Sequence, residues 1–194
     1  GRNIVWPRGR VLGGSSSING LIFIRGQHED FEDWEHLGAA GWNYRDVLPF
    51  FRNLENYTGG DDQYRGQLGE LGVSNLRNDD PSCRAWVNAA QEYGLPFNRD
   101  FNAETTYGAG AYQLSTKGRW RSSSATAFLK PAQSRPNLTV LSGAHVTRVL
   151  FDGSQAEAVE WIRNGKTKTA AVEKEIILAA GALQSPQILQ LSGI

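Results

Sequence analysis

The sequence predicts an α/β fold of mixed α+β character, and three observations predict it. Apolar residues recur at helical spacing between residues 27 and 93. Strand-like runs separated by hairpin turns fill residues 138–172. An apolar run that follows Glu175, within residues 175–180, then leads into a helix start. A buried strand that turns through small residues into a capped helix is how α/β sheets present backbone N–H groups to a ligand. With 194 residues, 40% of them hydrophobic, the chain can bury the core of one compact domain or pieces of two.

In chain order, GRNIVWPRGRVLGGSSSINGLIFIRG is rich in Gly, Arg and Ser, so residues 1–20 read as loop entering a short buried element at Leu21-Ile22-Phe23-Ile24. The acidic stretch at residues 27–36, with Phe31 and Trp34 on one side, reads as a solvated surface helix. Tyr44, Val47, Leu48, Phe51 and Leu54 mark a second helix, in which Pro49 is a kink or a first-turn residue. Residues 57–70 hold four Gly with Asp and Gln, a polar loop and a plausible seam. Asp80-Pro81 supplies an N-cap and a first-position proline for a third helix, which Gly94 stops. Cys83, Trp86, Val87, Ala90 and Tyr93 form its apolar face, and Cys83 is expected in the core.

The last third is the most legible. Leu138, Val140, Val146, Val149, Leu150 and Phe151 make strand runs with a bend at Gly143, while Asp152-Gly153 and Asn164-Gly165 are hairpin turns. Val159 and Trp161 alternate with polar neighbours and residues 167–172 follow, completing a β-meander. Residues 175–180 read as a buried strand, and Ser185-Pro186 as the N-cap and first turn of the last helix.

Charge and motif arithmetic removes several function classes. Lys+Arg and Asp+Glu both number 20, with no block of one sign, which argues against a nucleic-acid groove or an anionic membrane surface as the main partner. The single cysteine excludes an internal disulfide framework and a Cys-rich zinc site. Gly108-Ala-Gly110 is followed by Gln113 where a dinucleotide fingerprint needs Gly, and Glu160 stands where a P-loop ending at Gly165-Lys166 needs its first Gly. No Gly-x-Ser-x-Gly marks a serine hydrolase, and His28, His36 and His145 lack spaced partners for a metal. What remains is Gly13-Gly14-Ser15-Ser16-Ser17-x-Asn19-Gly20. Its paired glycines let backbone approach a flat or charged ligand, although a flexible surface loop has the same composition.

Two segments decide between these readings. GRVLGGSSSINGLIFIRGQHEDFEDW at residues 9–34 resembles the first signature of the glucose-methanol-choline (GMC) flavoprotein oxidoreductases, and GALQSPQILQLSGI at residues 181–194 resembles their second. GWNYRDVLPFFRNLE, GRWRSSSATAFLKP and PNLTVLSGAHVTRVLFDG resemble further stretches of that family in the same order. The similarity lies nearest the bacterial choline dehydrogenase-like and alcohol dehydrogenase-like branch. It implies part of an FAD-binding doubly wound domain with a β-meander, plus part of a mixed-sheet substrate domain. Residues 1–66 would be the loop and connecting helices of the FAD domain, 67–135 part of the substrate domain, and 136–194 the meander, buried strand and following helix. The absence of Met and of the family's opening GxGxxG agrees with a central fragment.

The resemblance further implies oxidation of an alcohol, choline-like or another primary alcohol, by hydride transfer to flavin N5. Gly13, Gly14, Ser15, Asn19, Gly20, Leu21 and Ile22 would lie against the flavin and pyrophosphate. Val146 would present its backbone to the adenine, and Ala180 and Gly181 would approach the cofactor at the strand-to-helix turn. Where some relatives hold FAD through a histidine, this chain has Ile18, so attachment is expected to be non-covalent. The catalytic histidine of the family lies outside these residues, so no catalytic residue is assigned and the fragment alone is expected to be inert. The implied partners are a small alcohol, an electron acceptor that is oxygen or a quinone, and a second copy or the rest of a parent chain. The cytoplasm is the expected location, with a peripheral contact to the inner membrane left open. A non-catalytic binding module that keeps the fold is the competing reading.

Overall fold

The computed structural model describes residues 2–77 and 80–194 and shows the mixed helix-and-strand class that the sequence predicts. It divides into two units, Gly1–Arg135 and Pro136–Ile194. Among the described residues, no helix is long and apolar enough to cross a membrane.

In the first unit, a 3-10 turn at Gly14–Ser17 precedes strand β1 (Ile22–Phe23), and helices α1 (His28–His36) and α2 (Tyr44–Leu54) follow. The Asn43 side chain caps α2 by accepting from the Asp46 amide at 3.0 Å, and Pro49 sits inside the helix. Phe31, Tyr44 and Val47 are buried together, with Leu48 and Phe51 packed against them, so the helical periodicity of both segments reaches a shared core. Phe31 meets Trp34 and Phe51 edge-on at 5.4 and 5.7 Å. Strands β2 (Glu55–Asn56) and β3 (Leu71–Gly72) run parallel, helix α3 (Pro81–Glu92) follows, and β4 (Gln113–Leu114) pairs antiparallel with β1. A two-stranded antiparallel ribbon, β5 (Thr116–Lys117) with β6 (Trp120–Arg121), leads into a π-turn at Ala125–Leu129 and the short α4 (Lys130–Ala132).

The centre of this unit is polar. Glu55 is fully buried and accepts from Arg25 Nη2 at 2.7 Å, from Arg65 Nε at 2.8 Å and Nη2 at 3.0 Å, and from the Gly66 amide at 2.8 Å. Arg65 also reaches Asp100 at 2.7 Å and lies 4.1 Å from the Tyr57 ring centre. Arg65 makes two contacts with each of Glu55 and Asp100, and Arg25 makes one with Glu55 and one with the Tyr64 carbonyl at 2.7 Å, which makes burial of these charges tolerable. Burial pushes the Arg25 guanidinium below its ordinary range although Glu55 opposes this. For Arg65 burial acts in the same sense, but the hydrogen bonds and charge of Glu55, with Asp100, outweigh it and raise the value.

The second unit is a meander, β7 (His145–Asp152), β8 (Gln155–Arg163) and β9 (Lys166–Ala171), antiparallel in the order β7-β8-β9, followed by helix α5 (Gly181–Leu191). Both expected hairpins form, and Asn164 and Gly165 take φ +52° and +72°, the positive angles that a tight two-residue turn demands. Ser192 Oγ accepts from the Val149 amide at 2.8 Å and donates to the Ile188 carbonyl at 2.6 Å, and Val149 and Ile188 are both buried.

Five sequence expectations are corrected. Leu138 and Val140 form no strand, because the chain there has no ladder partner among the described residues. Residues 175–180 likewise form no strand, and Ile177 is 78% exposed. A two-faced apolar strand is stable only between neighbours. Helix α5 starts earlier than Ser185-Pro186 suggests, with Ala180 as N-cap and Pro186 inside it, while Ser185 Oγ accepts from the Ala180 amide at 3.1 Å. Finally, α3 buries none of its residues: Cys83 is exposed, and the helix flanks an open cleft of about 870 Å³ instead of a packed layer. The apolar run at residues 21–24 also yields only the two-residue β1, with Ile22 and Ile24 about half exposed.

Candidate cofactor-binding site

The glycine-serine segment folds into a defined turn. Gly13 and Gly14 take φ +88° and +53°, the left-handed region that a Cβ disfavours. A Cβ on Gly13 would also strike the Ser17 hydroxyl and approach Ala125 Cβ to 3.0 Å. Gly14 donates to the Val11 carbonyl at 2.9 Å, and Ile18 and Asn19 both donate to the Ser15 carbonyl, at 3.1 and 2.9 Å. Ser15 Oγ accepts from the Gly9 amide at 3.2 Å. Leu21 has φ +70°, unusual for a residue with a Cβ, and sits between Gly20 and the β1 ladder. Its amide donates to Asn19 Oδ1 at 3.1 Å, and its carbonyl accepts from both the amide and the hydroxyl of Ser115 at 2.8 Å. Such strain at an exposed glycine loop is a mark of a functional backbone.

A second segment holds this turn from behind. Arg121 Nη1 donates to Asn19 Oδ1 at 2.6 Å and to the Ser16 carbonyl at 3.1 Å. The Ser124 amide donates to Ser16 Oγ at 2.9 Å, and Ser124 Oγ donates to the Gly13 carbonyl at 3.1 Å. The outward side is open, since a Cβ on Gly14 or Gly20 would meet nothing within 4 Å. Among the described residues the Gly20 amide finds no acceptor. The loop therefore offers an unpaired amide and bare backbone, a surface that a flat group can approach closely.

The other predicted contacts lie in the second unit. Val146 and Ala180 line the same cleft, of about 650 Å³, with Gln184 and Gln187 beside them. Strand β7 is the edge of its sheet, and its register shifts between Val146 and Arg148, so backbone at Val146 stays available beside the cleft. Gly181 opens α5 with φ +91° and a Cβ there would meet only Gln184 Oε1, at 3.9 Å. At the cleft margin, Glu160 accepts from Arg148 Nε at 3.1 Å and from Thr147 Oγ1 at 2.7 Å, and these bonds, Arg148 first, hold its carboxyl below the ordinary range. Among the described residues no cluster of His, Cys, Asp and Glu could hold a metal ion.

Thus Gly13, Gly14, Ser15, Asn19, Gly20, Leu21 and Ile22 come together on one loop of the first unit, and Val146 and Ala180 on one cleft of the second, with Gly181 at the helix start. Sequence reasoning missed Arg121, Ser16 and Ser124. A signal existed: the Ser122-Ser123-Ser124 run mirrors Ser15-Ser16-Ser17, but nothing in one dimension joins segments 108 positions apart.

Comparison with known proteins identifies the family to which this fold belongs. The family model for GMC oxidoreductases matches residues 1–194, and the chain belongs to that family. Mitochondrial choline dehydrogenase of Homo sapiens is 43% identical over 194 residues, covering 100% of this chain and 33% of that protein. An oxygen-dependent choline dehydrogenase of Vibrio vulnificus (strain YJ016) is 41% identical over 196 residues, covering 100% of this chain and 35% of that protein. The crystal structure of pyridoxine 4-oxidase from Mesorbium loti superposes with a TM-score of 0.90 at 32% identity, covering 97% of this chain and 38% of the other. An FAD-dependent oxidoreductase from Chaetomium thermophilum also superposes with a TM-score of 0.90, at 34% identity, over 96% of this chain and 35% of the other. The chain spans about a third of the length of the curated relatives it matches.

The cofactor implied for this family is FAD, and the residues present suit it. The open backbone at Gly14 and Gly20 is a cradle that any Cβ would fill, and the unpaired Gly20 amide faces no protein acceptor.

Proposed function

We propose that this chain forms part of the FAD site of an enzyme that oxidises a small alcohol, choline-like or another primary alcohol. The observation that carries the reading is the latched glycine loop with its unpaired, Cβ-free outward face. When bound, FAD supplies a two-electron acceptor that takes hydride from the carbinol carbon at N5. Gly13, Gly14, Ser15, Asn19, Gly20, Leu21 and Ile22 of the first unit would hold the cofactor there, and the family resemblance separately assigns cofactor contacts to Val146, Ala180 and Gly181 of the second. The paired glycines allow the backbone to approach, and outward N–H groups favour negative charge on the bound group. Asn19 acts mainly through its oxygen, which accepts from Leu21 and Arg121 and so keeps the strained backbone in place. Ile18 offers no nucleophile, so the cofactor stays non-covalent. The proton on the substrate hydroxyl goes to a base outside these residues, and the chain alone is expected to turn nothing over.

The deciding experiment is a visible absorption spectrum and an intact mass of the same purified holoprotein, before and after acid precipitation. A flavin band that leaves with the supernatant, with the polypeptide mass unchanged, is the expected outcome. Flavin that stays on the polypeptide overturns the non-covalent assignment. A protein that takes up no flavin from excess FAD overturns the reading as a whole.

A further inference from the structure

We propose that Arg121 and Ser124 are positioning residues for the cofactor loop, a latch that sets which backbone groups the loop shows to its ligand. This rests on reading residues 13–22 as the flavin side of an FAD site. The latch takes up acceptors. Ser124 Oγ and Ser16 Oγ both donate to the Gly13 carbonyl, Arg121 donates to the Ser16 carbonyl, and Arg121 and the Leu21 amide share Asn19 Oδ1. Those bonds fix the Gly13 and Ser16 carbonyls and the Asn19 side chain, while the Gly20 amide has no partner among the described residues. A loop held in this way presents a preset backbone surface to a bound group.

The geometry also separates the roles of the two residues. Arg121 joins two points three residues apart, Ser16 and Asn19, with one charged nitrogen, and so fixes the curvature of the turn. Ser124 reads both ends of the 3-10 turn, with its amide on Ser16 and its hydroxyl on Gly13. Neither side chain is buried, so their replacement removes contacts without leaving a cavity or a stranded charge. The β5–β6 ribbon delivers Arg121, and Ser124 precedes the π-turn at Ala125–Leu129, so both come from a segment more than 100 positions along the chain from the loop they hold.

The test uses Arg121→Gln, Arg121→Lys and Ser124→Ala in the holoprotein, with FAD removed and titrated back, and amide hydrogen exchange followed in the flavin-free state. Arg121→Gln is expected to weaken FAD by about tenfold or more, the scale of a charged hydrogen bond. It is also expected to speed exchange of the Ile18, Asn19 and Leu21 amides while the β7–β8 amides keep their rates. Arg121→Lys retains the charge without the fork and falls between, and Ser124→Ala shifts exchange at residues 14–17. Tight FAD binding and unchanged loop exchange in Arg121→Gln overturn the proposal, as does faster exchange spread over the whole first unit. If the wild type takes up no FAD, the functional reading falls, and loop exchange in the same variants alone decides the latch.

Discussion

Glu55 has no solvent exposure and holds two guanidinium groups, so its loss strands charge in the interior. Glu55→Ala is expected to lower stability by about 3–5 kcal/mol, the cost of breaking a buried pair. Urea unfolding followed by circular dichroism reads this, and an unmoved midpoint contradicts the cluster as described. The two glycines of the loop give a sharper contrast. Gly13→Ala meets both a left-handed φ and Ser17, so thermal unfolding should show a clear loss of stability. Gly14→Ala bears only the backbone penalty of about 1–2 kcal/mol, but its methyl stands in the open face, so it should weaken FAD more than it lowers Tm. Equal effects of the two variants on FAD would count against that face as the binding surface. At this scale the sequence was informative where the signal was local: Gly13-Gly14 announced a backbone of unusual φ. It was silent on Arg25, Glu55, Arg65 and Asp100, since each reads alone as a solvated charge and only tertiary folding brings them together.

Among the elements, the β7–β8 pair carries a contribution to stability that depends on acid. Glu160 is held below its ordinary range by Arg148 and Thr147, so the folded state takes up a proton less readily than the unfolded one. Its contribution is therefore complete above the ordinary carboxylate pKa of about 4.3 and is lost as pH falls through the lower folded value. Asp80, lowered by its bonds to the Ser82 hydroxyl and amide, acts in the same sense at the start of α3. Thermal melts between neutral and acid pH should show a shallower acid loss in Glu160→Gln than in the wild type, and superimposable profiles would dismiss the pair. Elements whose rules are local were legible: the two hairpin turns, the Asp80 cap and the α1 and α2 periodicities. Residues 175–180 were not, because an apolar run specifies a need for neighbours without stating whether they are there. The α3 face shows the same limit, with spacing right for a core and Trp86 70% exposed.

Across the whole molecule, the indole rings report how much apolar surface lies open. Trp6, Trp34, Trp42, Trp86 and Trp120 are each about half exposed or more, and Trp161 alone has a buried Nε1. Acrylamide should accordingly quench most of the tryptophan emission of the isolated chain and leave a protected fraction from Trp161. An emission that resists quenching throughout would mean that these faces are covered in solution. The family was readable from the sequence because its signatures sit on backbone that the fold cannot vary, and the comparisons bear it out over residues 1–194.

The meander closes entirely through hairpins of adjacent strands, whereas β1 reaches a partner segment with bonds spanning 94 positions. Ribbon between sequence neighbours closes small loops, and the far pairing has to close a large one first. On dilution from denaturant the two regions should therefore mature on separate clocks. Residues 145–171 gain amide protection early, and the glycine turn, which depends on the distant Arg121 and Ser124, is among the last features to take shape.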